Sequence, residues 1–172
     1  MGDPKKPRKK YSTSRMPWRS DILVAELQLL GTYCLRNKRE LWKAKTLLSN
    51  FRGQARLLLA MPESERKVKE RALLNKLVKY ALINESSSLD DVLSLTVEDI
   101  LERRLQTVVW RKGLAKTPSQ ARQFIVHGHI AIGDQIVRRP GVLVKRDEEN
   151  FVRLREGSTI KVAVPNQKGS GE

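Results

Sequence analysis

The chain has 172 residues, 40% hydrophobic and 31% charged, with 34 Lys and Arg against 19 Asp and Glu, for a formal net charge of +15. That composition supports one modest core or two small ones, and a charge this one-sided calls for a polyanionic partner, nucleic acid before an anionic membrane surface. Apolar runs break far short of the ~20 residues a bilayer span needs, and the lone Cys34 excludes an internal disulfide or a multi-cysteine zinc site and fits a reducing, cytoplasmic setting.

Residues 4 to 19 carry seven Lys and Arg, three prolines and no acid, so they have charge without a core of their own. They read as a basic extension over residues 1–19, with Lys9, Lys10 and Arg15 among its phosphate contacts. A helical domain is expected over residues 20–95. Ser20 is a candidate N-cap for "DILVAELQLL", which Gly31 would end. Asn37 and Glu40 form a start signal for "KRELWKAKTLLSNFRGQARLLLA". There Leu41, Ala44, Leu48, Phe51, Ala55 and Leu58 recur at three- and four-residue steps and make one apolar stripe. Pro62 suits the first turn of a third helix, "ESERKVKERALLNKLVKYALI". Its Val68, Ala72, Leu74, Leu77, Val78, Ala81 and Leu82 are expected to form a broad buried face.

On the second helix, Lys38, Lys45, Arg52 and Arg56 fall within about 40° of one another and flank the apolar stripe, so they extend a binding surface. Trp42 lands among these cations, placed to stack on a base or ribose, to pack against a protein neighbour, or to cap the bundle. Trp18, beside Arg19, is a similar case, whereas Trp110 reads as structural.

Residues 84 to 102 hold six acids and no Lys or Arg, and read as a hinge into a second module spanning residues 96–164. Thr96 with Asp99 starts a helix expected to run to Gly113, and from Arg103 to Gly133 there is no acid at all. On that helix Arg104, Thr107 and Arg111 line one stripe, with Arg103 beside it and Lys112 and Lys116 following. Thr117 caps a next helix, with Pro118 at its first position and Gly128 at its end. Ala121, Phe124 and Ile125 take its core side, while Ser119, Gln120, Arg122, Gln123 and His127 take the other, a face of donors suited to phosphates. "HIAI" and "QIV" then flank Gly133-Asp134 as a hairpin that displays Arg138 and Arg139 before Pro140-Gly141 bends the chain away. His127 and His129 lack a third ligand nearby, so no metal is expected there; they read as RNA-facing donors or partly buried rings. "FVRLREGSTIKVAV" alternates enough for two short strands joined through Glu156-Gly157, and residues 165–172 read as a flexible tail.

The segment "RLQTVVWRKGLAKTPSQARQFIVHGHIAIGDQIVRRPGVLV" resembles the RNA-binding domain named after small-subunit ribosomal protein S-four. The resemblance rests on Arg104-Leu105, Val108-Val109, Arg111, Gly113, Ala115, Ser119 to Arg122, Gly128, Ile130, Ile132, Val137 and Pro140. Gly133-Asp134 departs from the Asn-Gly the family often has at the hairpin tip. "ELQLLGTYCLRNKREL" is similar to the archaeal and eukaryotic type of the same ribosomal protein family. The resemblance implies an α+β fold: a helical bundle, then two packed helices on a short antiparallel sheet. It also implies binding to small-subunit ribosomal RNA at a multi-helix junction, support of subunit assembly, neighbouring ribosomal proteins as partners, and a place near the path by which messenger RNA enters.

Nothing in the sequence groups a nucleophile, a base and an orienting acid, and there is no P-loop, GxGxxG or zinc motif, so neither an enzyme nor a cofactor is expected. The alternative is a non-ribosomal RNA-binding factor with the same domain, in ribosome rescue or RNA modification. Charge reversal at Arg104, Arg111 and Arg122 is expected to weaken RNA binding without unfolding the module.

Overall fold

The computed structural model describes Gly2 and residues 9–158. The chain folds as α+β, a run of helices leading into a small antiparallel sheet. The bundle comprises α1 (Ser20–Thr32), α2 (Lys38–Leu59), α3 (Glu63–Lys79), α4 (Leu89–Ser94) and α5 (Val97–Glu102). Then come α6 (Leu105–Arg111), α7 (Pro118–Val126), β1 (Ile130–Ile132), β2 (Gln135–Ile136), α8 (Arg146–Glu149) and β3 (Val152–Leu154).

The long α2 is the axis of the first core. Asn37 caps it by accepting from the Glu40 N–H at 3.2 Å, and its six-residue apolar stripe is buried as the spacing requires. Each fully buried leucine on it contributes about 2 kcal/mol relative to an exposed one. That core ends at Ile100 and Leu101, and a second one begins at Leu105 with Val108, Val109, Ala121, Ile125 and Ile130.

Three expectations change. Ser20 is the first residue of α1 and Arg19 its N-cap, while Gly31 lies inside the helix. The end is made by Cys34 at φ 47°, whose N–H reaches the Gly31 carbonyl while that of Leu35 reaches Leu30. The same paired return ends α3 at Ala81, α6 at Gly113 and α7 at Gly128. This motif requires a left-handed residue, so two of its four instances carry a side chain where glycine is preferred. Second, Pro62 is the N-cap of α3 rather than a first-turn residue, and α3 buries Leu73 and Leu77 while Val68 is 74% exposed. Its face is narrower than the sequence suggests because α3 packs mainly on α2, with little else over it.

Third, the helix expected from Thr96 to Gly113 is two helices. The capping box at Thr96 and Asp99 is present, but Arg104 is extended, with ψ 141°. The freed N–H groups of Leu105 and Gln106 donate to the carbonyls of Val142 at 2.8 Å and Pro140 at 3.3 Å. Tertiary partners thus replace the helical ones, which no local propensity reports.

β1 is central, pairing antiparallel with β2 through Ile132 and Gln135 and with β3 through Ala131 and Arg153. The two-residue hairpin tip has Gly133 first, at φ 59°, as its turn type requires. The first of the two strands expected near the end is β3; the second lies outside the described residues.

Candidate nucleic-acid interface

α7 is built as its sequence reads. The Thr117 hydroxyl accepts from the Gln120 N–H at 3.2 Å, Pro118 opens the helix, and Ala121, Phe124 and Ile125 are buried. Ser119, Gln123 and His127 are exposed, with Lys116 beside them, whereas Gln120 turns back to accept from the Lys116 N–H at 2.8 Å. No carboxylate bonds to this polar edge among the described residues.

Arg104 and Arg122 are placed differently from the expected open face. Arg104 is only 6% exposed, and its guanidinium donates to Glu40 at 2.8 Å. Arg122 donates to the same carboxylate at 2.6 and 3.1 Å, and to the buried Gln106 at 3.2 Å. Gln106 in turn donates to the carbonyls of Tyr33, Cys34 and Pro118, so α2, α6, α7 and the turn after α1 meet at one polar knot. Burial pushes the Glu40 carboxyl up, but the hydrogen bond from Arg122 and the charges of Arg104 and Arg122 outweigh it and hold the group below its usual range. Burial lowers the Arg104 pKa, and Glu40 opposes that shift. Arg104 and Arg122 are thus tied within the chain rather than displayed on an open face, and reversing either would crowd carboxylates at the knot.

Arg111 and Arg103 also find acids from outside their own acid-free stretch. Arg111 forms a two-point pair with Glu102 at 2.8 and 3.2 Å and lies over the Trp110 ring at 4.6 Å. Glu102 also accepts from the Tyr33 hydroxyl at 3.0 Å; burial and that hydrogen bond push the Tyr33 pKa up to about 12. Arg103 bridges Glu149 at 2.8 Å and the Val144 carbonyl at 3.2 Å, and Lys112 donates to the Glu149 carbonyl.

On α2, Lys38 and Lys45 hold the buried Glu26 of α1 at 3.4 and 2.8 Å, and the Trp42 N–H donates to it at 3.2 Å. The Trp42 ring stacks on Tyr11 at 5.8 Å, and the Ser12 N–H donates to Thr46 at 2.9 Å, so this part of the extension lies along α2. Trp42 is thus occupied within the chain, while Trp18 is exposed. Arg52 donates to the Leu95 carbonyl and ties α2 to the α4–α5 junction; Arg56 is exposed. Lys9 lies over the Tyr11 ring at 5.1 Å, and Lys10 and Arg15 are exposed.

Arg138 and Arg139 are exposed, and the Arg138 guanidinium packs against Gly128 at the end of α7. His129 shares a 3.1 Å hydrogen bond with Ser158, its ring 6.5 Å from that of the exposed His127. Among the described residues no group of three metal-ligating side chains converges, and no helix is long and apolar enough to cross a membrane.

Glu26 and Glu40 are the functional groups that sequence reasoning passed over, Glu40 being read only as a capping residue. A signal was present: they are the only acids between residues 22 and 62. Isolated carboxylates in so basic a stretch become the anchors around which the cations are arranged.

Comparison with known proteins finds two family matches along the chain. The family described as "Ribosomal protein S4/S9 N-terminal domain" matches residues 5–102, and the family described as "S4 domain" matches residues 103–150. Small ribosomal subunit protein uS4 of Hyperthermus butylicus is 57% identical over 152 residues, covering 88% of this chain and 86% of that protein. The protein of that name from Ignicoccus hospitalis is 54% identical over 88% of this chain and 92% of its own length. That of Metallosphaera sedula is 50% identical over 100% of this chain and 96% of its own. Identity of this extent across both cores means that the chain belongs to the family of small ribosomal subunit protein uS4.

Proposed function

We propose that the chain is a structural, non-enzymatic constituent of the small ribosomal subunit in the cytoplasm, binding small-subunit ribosomal RNA by shape at a junction of several RNA helices. The observation that carries this reading is the exposed, acid-free edge of α7 with Lys116, with Arg138 packed at Gly128 where that helix ends and the exposed Arg139 next to it. Its donors suit phosphates and ribose hydroxyls rather than base edges, and the start of α7 adds a partial positive charge. The paired arginines set the relative position of the two modules, so the basic surface is preformed and selects an RNA fold. Neighbouring ribosomal proteins are its other partners, and its expected place is near the path by which messenger RNA enters. The names of its relatives and the two matching families support the ribosomal part of this reading.

The test is the double variant Lys116→Glu with Gln123→Glu. Binding of small-subunit ribosomal RNA, read by filter retention at moderate salt, should weaken at least about tenfold with the thermal midpoint unchanged. Unchanged binding would mean that the α7 edge is not the interface.

A further inference from the structure

A cleft of about 390 Å³ opens where α2 faces the loop after β2. Lys43, Arg104, Arg122, Arg138 and Arg139 line it, with Glu40 as their only acid, so it carries five cations against one carboxylate. Its least exposed charged residues form the knot already described. There two guanidiniums share one carboxylate, with side-chain exposures of 7% for Arg104, 21% for Arg122 and 20% for Glu40. One positive charge is left over where little water reaches, and an unbalanced buried charge is costly. The other carboxylate with two cations, Glu26, does not share the difficulty, because Lys38 and Lys45 are each about a third exposed. What the Glu40 knot lacks is one anion.

We infer that this cleft is a phosphate site that seats one phosphodiester of the RNA backbone, touched by Lys43 from α2 and by Arg138 and Arg139 from the second module. The inference rests on the RNA-binding reading above. Arg104 and Arg122 act behind these three as fixed charges, positioned by Glu40. Guanidiniums favour an oxyanion with two terminal oxygens, which a phosphodiester presents while its chain leaves through the open mouth of the cleft. Its occupant bridges the two modules, so RNA binding there also holds them together. Lys43 carries no sequence signal for this role, since it flanks the α2 stripe like any solvated lysine.

The test uses the full chain, the double variant Lys43→Ala with Arg139→Ala, and Lys67→Ala on α3 as a control. Both altered cleft residues are exposed, so folding is retained. Inorganic phosphate at roughly 10 mM, compared with chloride at equal ionic strength, should raise the thermal midpoint of the wild type and the control by about 3 °C and leave the double variant unmoved. In binding to small-subunit ribosomal RNA, the double variant should show a plot of log affinity against log salt shallower by about 1. An equal phosphate effect in all three proteins, or an unchanged salt slope in the double variant, would overturn the site. Cleft-dependent stabilisation by phosphate in a chain that does not bind small-subunit RNA would instead refute the RNA reading and assign the cleft to a free anion.

Discussion

Replacing Glu40 by Gln keeps the size of the side chain and removes the charge that two arginines share. Three hydrogen bonds of 2.6, 2.8 and 3.1 Å converge on that carboxylate, and Arg104 has almost no route to water. Removing one partner of a buried ion pair costs about 3–5 kcal/mol, because the other charge stays behind. Partial exposure of Glu40 and Arg122 places this case at the lower end, about 3 kcal/mol. For a chain of this size that lowers the thermal midpoint by roughly 6–12 °C. Chemical denaturation followed by circular dichroism measures the loss, and adding Arg104→Met to Glu40→Gln should recover part of it by removing the stranded cation. The pH dependence adds a second check. The Glu40 carboxyl is held below its ordinary value of 4.5, so its contribution is complete above that pH and is lost as the pH falls through the lower, folded value. Wild type and Glu40→Gln should therefore converge in acid. A variant within about 0.5 kcal/mol of wild type at pH 7, or a gap undiminished at pH 3, would refute the reasoning.

The four matching helix ends make opposite predictions at two positions. Ala81→Gly should stabilise by about 1 kcal/mol, since φ there is 51°, whereas Gly128→Ala should cost at least that much, with φ 77° and a new methyl 3.1 Å from the Arg138 guanidinium. Equal effects of the same sign in urea titrations would remove the left-handed caps from the explanation. Tyr33 governs the alkaline side. Its pKa is raised from 10 to about 12, so its contribution is complete below pH 10 and is lost as the pH climbs to 12. Stability relative to Tyr33→Phe should fall across that window, and a flat difference would contradict burial and the Glu102 bond as the causes of the raised pKa.

Sequence patterning located α2, α7 and the hairpin because their signals are local. A capping residue, a 3.6-residue stripe and a glycine at a turn act within a few positions. The division of α5 from α6 escaped it because the Val142 and Pro140 carbonyls that satisfy the start of α6 lie some 35 residues away in the chain. The site was legible in composition and only partly in detail. Absence of acids from Arg103 to Gly133 is a one-dimensional fact: folding brings Glu40 and Glu149 to that stretch from elsewhere, and Glu102, just before it, pairs with Arg111. Three of its arginines, Arg103, Arg104 and Arg122, thereby become ties, while Arg111, Lys116, Arg138 and Arg139 keep the exposed placement the pattern suggests. Lys38 and Lys45 share one side of α2, as helical spacing requires, but both reach Glu26 of α1.

Ultraviolet crosslinking of the intact chain to RNA in a lysate, with the attached RNA sequenced, tests the central claim most directly. One dominant site in small-subunit ribosomal RNA, where several helices meet, retained at moderate salt, is the expected result. Attachment to transfer RNA, or scattered attachment without a dominant site, would contradict it.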